Sequence, residues 1–311
     1  MLVYLLRRLT FATLLVFTVS SAALVLARLA PGDYVTLTLG TQAGGDRGAR
    51  MREQYGLDRS IAAQYSHWLA HASRLDFGRS IMYDTPVASL VRARAANTAI
   101  LAAAALAAAT MIGLPLGIVT GSRRSGPLAH AIRAMSLALL SLPQLLTSLV
   151  LVMIAARTHW LPVGGMGSKP GDLASHLIVP AIALALPIAA MFERLQSQAM
   201  ADVIGQPYVL AALARGVPRS RIVWRDALKA ALRPSAATYG VVIGALLSGS
   251  FSVEIVTSWP GLGRLMLDAL RARDVYLVAG CAAAGSVFLA FGTLISDAAL
   301  AALDPRAREA S

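Results

Sequence analysis

The chain has 311 residues, of which 57% are hydrophobic and only 14% charged, and its formal net charge is +12. A soluble domain of this size carries charge on about a quarter of its residues, so composition argues against a soluble globular chain. The positive charge does not point to nucleic acid, because the arginines sit between apolar runs and form no basic patch interleaved with aromatics.

An apolar run of about 20 residues crosses roughly 30 Å of hydrocarbon as a helix. Six such runs are predicted, at residues 9–29, 97–120, 129–156, 177–192, 235–256 and 277–300. The first follows Arg7 and Arg8 and passes Ser21-Ala22-Ala23, which resembles a signal peptide. It continues to Leu29, beyond the about 7–15 residues of a signal core, and is read as a retained helix. Arg28 is expected to snorkel to the outer interface. Residues 30–96 then carry turn signals at Pro31-Gly32-Asp33 and Gly44-Gly45-Asp46 and a partly amphipathic stretch from Met51 to Leu75. They predict a small extracytoplasmic cap with some helix.

In the second run Gly113, Gly117 and Gly121 recur every four residues, which opens one face to close packing by another helix. Pro115 predicts a kink there. The fourth run is short and holds Pro180 and Pro187, tolerated where neighbours satisfy the freed carbonyls. Glu193 and Arg194 are expected at its inner boundary, paired or solvated. Near the end of the fifth run, Glu254 either hydrogen-bonds the Ser258–Gly263 turn, the simpler reading, or touches a transported solute. Cys281 is the sole cysteine, so no intrachain disulfide forms, and it reads as a packing residue. His67 and His71 share a helix face but show no third ligand in sequence, and are read as surface residues.

Arg and Lys placement sets the orientation. With the N-terminus cytoplasmic, the inner segments 1–8, 121–133, 193–234 and the tail after 300 hold 14 basic residues. The short outer loops 157–176 and 257–276 hold five. Segment 30–96 adds eight, but loops of that length translocate largely regardless of charge. Both termini are therefore expected inside.

The inner segment 193–234 is too long for a plain connection. Tyr208 to Arg215 is built of good helix formers and ends at Gly216, a fitting cap. Val217-Pro218-Arg219-Ser220 predicts a turn with Ser220 as N-cap, followed by a basic helix from Arg221 to Arg233 stopped by Pro234. An apolar helix displayed beside a basic one implies a partner groove.

Tyr208-Val209, Ala212, Ala214, Arg215 and Gly216 resemble the coupling motif of permease subunits of binding-protein-dependent ABC importers, in the dipeptide, oligopeptide and nickel branch. Tyr4-Leu5-Leu6-Arg7-Arg8-Leu9, Arg28-Leu29-Ala30-Pro31-Gly32-Asp33, Tyr55-Gly56-Leu57-Asp58, Gln64-Tyr65, Trp68-Leu69 and Asp76-Phe77-Gly78-Arg79-Ser80 resemble the opening of that family in order. Glu254 and Ser258-Trp259-Pro260-Gly261-Leu262-Gly263-Arg264 resemble its signature turn, and Asp304-Pro305-Arg306 its terminus. The departures are Ser197, Pro207, Leu210 and Asp226, which make the hairpin less polar than the family pattern.

The resemblance implies an all-α membrane protein with six transmembrane helices in the type I ABC importer permease architecture. Its parts would be residues 1–94 (first helix and extracytoplasmic segment), a core at 95–301 with the coupling loop at about 197–234, and a cytoplasmic tail at 302–311. Arg215, Arg219 and Arg221 would meet acidic groups of an ATPase, and Gly216 would fix the helix end. It further implies a bacterial inner-membrane location and no cofactor in this chain, with ATP and Mg bound by two partner ATPases. A second homologous permease, making a heterodimer, and an extracytoplasmic solute-binding protein complete the set. The cargo would be a di- or oligopeptide, nickel or a metal chelate.

No nucleotide site competes with this reading. A P-loop needs Gly-Lys followed by Ser or Thr, whereas Gly167-Ser168-Lys169-Pro170 has Ser before the Lys and Pro after it. An ion-coupled secondary carrier is the alternative, but it predicts inverted repeats and charges deep within spans, neither of which is evident. An intramembrane enzyme would need a His-Glu-x-x-His or Gly-x-Ser-x-Gly pattern, and neither is present.

Overall fold

Alanine- and leucine-rich runs without water can satisfy their backbone only within themselves, so helices dominate. The computed structural model describes residues 2–123, 126–167 and 171–303. Asp304-Pro305-Arg306 with the rest of the expected tail, and Ser168-Lys169-Pro170, lie outside them. In chain order the helices are α1 (Leu2–Leu29), α2 (Tyr34–Leu39), α3 (Asp46–Gln54), α4 (Ile61–Ala72), α5 (Val87–Ser122), α6 (Pro127–Ser141) and α7 (Gln144–Thr158). They continue with α8 (Asp172–Ile204), α9 (Pro207–Ala214), α10 (Arg219–Arg221), α11 (Leu228–Val256), α12 (Leu262–Ala272) and α13 (Val275–Leu303). A 3-10 turn covers Gly40–Gly44 and a π-helical turn Ile222–Ala227.

Among the described residues, five stretches are long and apolar enough to cross a membrane: Leu6–Leu29, Val87–Ser122, Asp172–Ile204, Arg219–Leu247 and Val275–Ile295. The sixth candidate is the pair α6 and α7, bent by 108° at their junction. The sequence suggests one unbroken run at 129–156, and the break lies at Leu142-Pro143. Pro143 lacks an N–H and pushes its predecessor out of the helical region, and Leu142 is accordingly extended at φ −85° and ψ 131°. Other boundaries also move. The second span begins at Val87 rather than residue 97, and the fourth extends to Ile204. Pro234 does not stop the basic helix but lies inside α11.

The chain divides into two compact units. The first comprises Met1–Ala99 and Pro260–Ala290. Here Leu24, Trp68, Ala72 and Ala279 bring α1, α4 and α13 together, and Val87, Leu265, Leu277 and Cys281 pack α5, α12 and α13. Asp33 caps α2 through the Thr36 N–H at 2.8 Å and accepts from Arg52 Nε at 2.6 Å. Asp274 is fully buried and accepts from Ser80 Oγ (2.6 Å), the Met82 N–H (3.0 Å) and the Leu277 N–H (3.1 Å), so it ties the segment before α5 to the start of α13. The Arg28 guanidinium donates to the Leu57 carbonyl in the segment that follows the first span.

The second unit comprises Ile100–Trp259 and Phe291–Ser311. The three spaced glycines of α5 lie against α8. A Cβ on Gly113 would stand 2.5 Å from the Ala189 carbonyl, one on Gly117 2.6 Å from Gln196 Cβ, and one on Gly121 2.4 Å from the Ser197 carbonyl. Only hydrogen fits at these points. Ala105, Ala109, Leu184, Phe192 and Leu246 fill the core beside this contact.

Candidate functional site: the exposed hairpin and the turn before α12

Helix α8 ends at Gly205, and Gln206 is extended (φ −72°, ψ 145°), as the residue preceding a proline must be. Pro207 then opens α9 at a position where a missing N–H costs nothing. Within α9 the side chains sort by face. Val209 is buried and holds the helix down, whereas Tyr208, Leu210 and Leu213 are 52%, 54% and 39% exposed. Ala214 and Arg215 are also exposed, and Ala212 is half-buried.

The helix closes with a paired stop. The Gly216 N–H bonds the Leu213 carbonyl at 3.0 Å and the Val217 N–H bonds the Ala212 carbonyl at 3.2 Å, the two bonds of a Schellman cap. Gly216 takes the left-handed φ of +79° that this cap needs. The N-cap of the following helix is Pro218, not Ser220 as expected from sequence. Arg219 donates to the Ser122 carbonyl at 2.8 Å, a cation at the C-terminus of α5. Arg221 is exposed.

From Ile222 the backbone widens into a π turn, with the Leu228 N–H bonding the Val223 carbonyl five residues back. Ile222 is buried, and Val223 and Ala227 join a core with Ile118, Met200 and Ala231. Tyr208, Ala212 and Arg215 line one open cavity with Ile222, Asp226 and Lys229.

Above this core lies a buried polar set that the sequence reading did not single out. Thr120 donates to Glu193 Oε1 at 2.6 Å, Ser235 donates to Gln196 Oε1 at 2.8 Å, and Arg133 donates to the Thr120 carbonyl at 2.7 Å. Glu193 is thus buried within α8 and hydrogen-bonded, while Arg194 is exposed. The available signal was the spacing of Glu193, Gln196 and Ser197, which puts three polar residues on the α8 face that meets the α5 glycines.

The signature turn is built differently. Glu254 is fully buried and accepts from Ser250 Oγ at 3.1 Å. Thr257 closes α11, Ser258 takes φ +53°, and the Trp259 ring is wholly buried in the core of the second unit. The Thr257 carbonyl accepts from the Gly165 N–H at 3.0 Å, and a Cβ on Gly164 would lie 2.3 Å from that oxygen. Gly164 therefore serves close backbone approach. In the first unit, Asn97 Nδ2 donates to the Pro260 carbonyl and the Leu262 N–H to Thr98 Oγ1, both at 2.8 Å. Gly261 is the N-cap of α12 and Gly263 is buried in its first turn.

These features define a multi-pass helical membrane protein that displays a short, rigidly capped apolar helix beside its spans. Comparison with known proteins makes the class specific. The family described as binding-protein-dependent transport system inner membrane component matches residues 113–309, and its N-terminal companion matches residues 1–101. The chain is 31% identical to the oligopeptide transport system permease protein AppB of Bacillus subtilis, over 98% of this chain and 99% of that one. It is 31% identical to the oligopeptide transport system permease protein OppB of Mycobacterium tuberculosis over 81% and 82% of the two chains. It is 29% identical to the glutathione transport system permease protein GsiC of Escherichia coli over 99% of both. The chain belongs to the family of binding-protein-dependent transport system inner membrane components. It is the membrane permease of an ABC importer, not an enzyme, and acts with partner ATPase and solute-binding proteins.

Proposed function

We propose that this chain is one of two paired permease subunits that import a peptide-like solute, and that α9 is the helix through which an ATPase drives them. One observation carries the reading: α9 is an exposed apolar helix, opened by Pro207 and closed by the Gly216 cap, that leads through α10 and the π turn into a helix long enough to span a membrane. A rigid short helix with no apolar cover on its outer face suits a groove on a partner.

In this reading Tyr208, Ala212, Ala214 and Arg215 meet the ATPase, Val209 anchors the helix, and Gly216 fixes its end. Arg219 serves as a latch to α5, and Arg221 faces acidic groups of the partner. The exposed Leu210 supports docking by apolar fit more than by ion pairs. When two ATPases close on ATP and Mg, α9 is carried with them. Because Val223 and Ala227 are packed with residues of α5 and α8, the displacement passes into the spans as rigid-body tilting. A cavity between paired subunits then changes the side it faces.

The relatives named for oligopeptides and glutathione support a peptide-like cargo over nickel or a metal chelate. The domain reading keeps residues 1–94 as the first span with an extracytoplasmic segment, 95–301 as the core and 302–311 as the tail, with both termini cytoplasmic. The second permease is homologous but distinct, making a heterodimer.

The experiment is reconstitution of the purified complex in liposomes with a labelled peptide. Peptide accumulation that requires ATP, together with a crosslink from Leu213→Cys to the ATPase, is the expected result. Uptake driven by an ion gradient with no ATPase bound would instead establish the secondary-carrier alternative.

A further inference from the structure

Helix α4 carries His67 and His71 one turn apart on an exposed face. Sequence alone gave no reason to see more than surface residues, because no third ligand stands nearby in the chain. The geometry adds two facts. The imidazole rings lie 4.6 Å apart, centre to centre, and are tilted by 39°. Two imidazoles that share one cation at about 2.1 Å, with a ligand angle of about 90–110°, have centres about 4.5–5.3 Å apart. The pair already stands at chelating separation.

The second fact concerns which nitrogen is available. His71 Nδ1 lies 3.2 Å from Asp76 Oδ2, which leaves Nε2 for a ligand bond. A carboxylate on the far nitrogen is the usual outer partner of a metal-binding histidine, since it fixes the tautomer and raises the basicity of the other nitrogen. Asp76 is itself oriented, as its Oδ1 accepts from the Gly78 N–H at 3.0 Å. Both side chains are reachable from solvent, His71 at 48% and Asp76 at 60% exposure. With His67 they line an open cavity whose lining also holds Arg79 and Asp84, and Arg79 is engaged by the Asp84 carbonyl at 2.7 Å and its carboxylate at 3.3 Å.

We propose that His67 and His71 form an open, two-nitrogen site for a divalent late transition cation, with Asp76 as the positioning group for His71. Among the described residues no set of three or more His, Cys, Asp or Glu side chains is arranged to hold a metal, so water fills the remaining positions. Imidazole donors suit Zn, Ni or Cu and not Mg or Ca. The site shares no residue with α9 and does not involve the identity of the cargo, so it neither depends on nor tests the transport reading.

The test is calorimetric titration of the full chain, purified in detergent without a histidine tag, using zinc or nickel chloride alone. One equivalent bound with micromolar affinity is expected, and none with magnesium. His67→Ala and His71→Ala each weaken binding at least about tenfold, and Asp76→Asn weakens it about tenfold while Asp76→Glu restores it. Unchanged stoichiometric binding in both histidine variants, or no binding by the parent chain, overturns the site. Parental affinity in Asp76→Asn overturns the positioning role. All three positions are exposed, so melting temperatures equal to the parent's confirm that a loss of binding is not a loss of fold.

Discussion

At Gly216 the backbone angle, not space, resists substitution. A Cβ there would meet nothing within 4 Å, yet φ is +79°. A branched or bulky side chain in the left-handed region costs about 1–2 kcal/mol, whereas asparagine visits it readily. Gly216→Asn is therefore expected to keep most ATP-driven uptake in proteoliposomes. Gly216→Leu should assemble normally but lose about tenfold, the factor that 1.4 kcal/mol at the helix end corresponds to. Equal uptake by both would detach the cap from the coupling role. A second residue-scale effect lies at Asp33, outside the spans. Burial alone would raise its carboxyl pKa, but the Arg52 hydrogen bond, the Thr36 N–H and the Arg52 charge outweigh it and hold the group below its ordinary value. A depressed folded-state pKa gives stability that is present above the unfolded value of about 3.9 and lost as pH falls through the folded one. Pepsin cleavage within residues 34–54 should thus increase as pH drops below about 3.9. Arg52→Ala should bring that onset to higher pH and loosen the segment by about 1–2 kcal/mol. A pH profile identical in the variant would remove the pair from the account.

At the scale of elements, the α5–α8 contact shows what a sequence can and cannot disclose. The four-residue spacing of Gly113, Gly117 and Gly121 announced a face for close packing, because periodicity fixes a face. It could not name α8, since the partner depends on how distant segments meet. The same limit explains the other differences. Apolar composition runs without interruption through Leu142-Pro143, so a hydropathy reading joins α6 to α7, and only backbone geometry reveals the bend. Pro234 reads as a stop in isolation, yet inside a long helix its freed carbonyl is tolerable, and α11 continues through it. On α9 the motif spacing was legible while the burial of Val209 was not, because face assignment on an eight-residue helix depends on the neighbouring core. The packing argument is testable. Gly117→Ala places a methyl 2.7 Å from the Glu193 carbonyl and should lower stability by about 1–3 kcal/mol, read as a reduced melting temperature in detergent. Gly285, with nothing within 4 Å of its Cβ position, is the control, and Gly285→Ala should be neutral or slightly stabilising. A neutral Gly117→Ala would mean that the two helices stand farther apart in the membrane.

At the scale of the whole molecule, the reading turns on which side of the membrane α9 faces. The charge distribution argues for the inside: 14 basic residues fall in the segments assigned there against five in the short outer loops. The single cysteine makes this measurable, since Cys281 is buried at 3% exposure and gives little background to a water-soluble thiol reagent. Leu75, in the segment between the first two spans, is 77% exposed, and Leu213 on α9 is 39% exposed. In spheroplasts a membrane-impermeant maleimide should label Leu75→Cys fully and Leu213→Cys hardly at all, and after lysis it should label both. Bound ATPase should then protect Leu213→Cys while leaving Leu75→Cys reactive, because only a docked partner can cover an apolar helix without covering the far face. Labelling of Leu213→Cys in sealed spheroplasts would place α9 beyond the reach of any ATP-hydrolysing subunit, and the route by which nucleotide energy enters these spans would have to be sought in another segment.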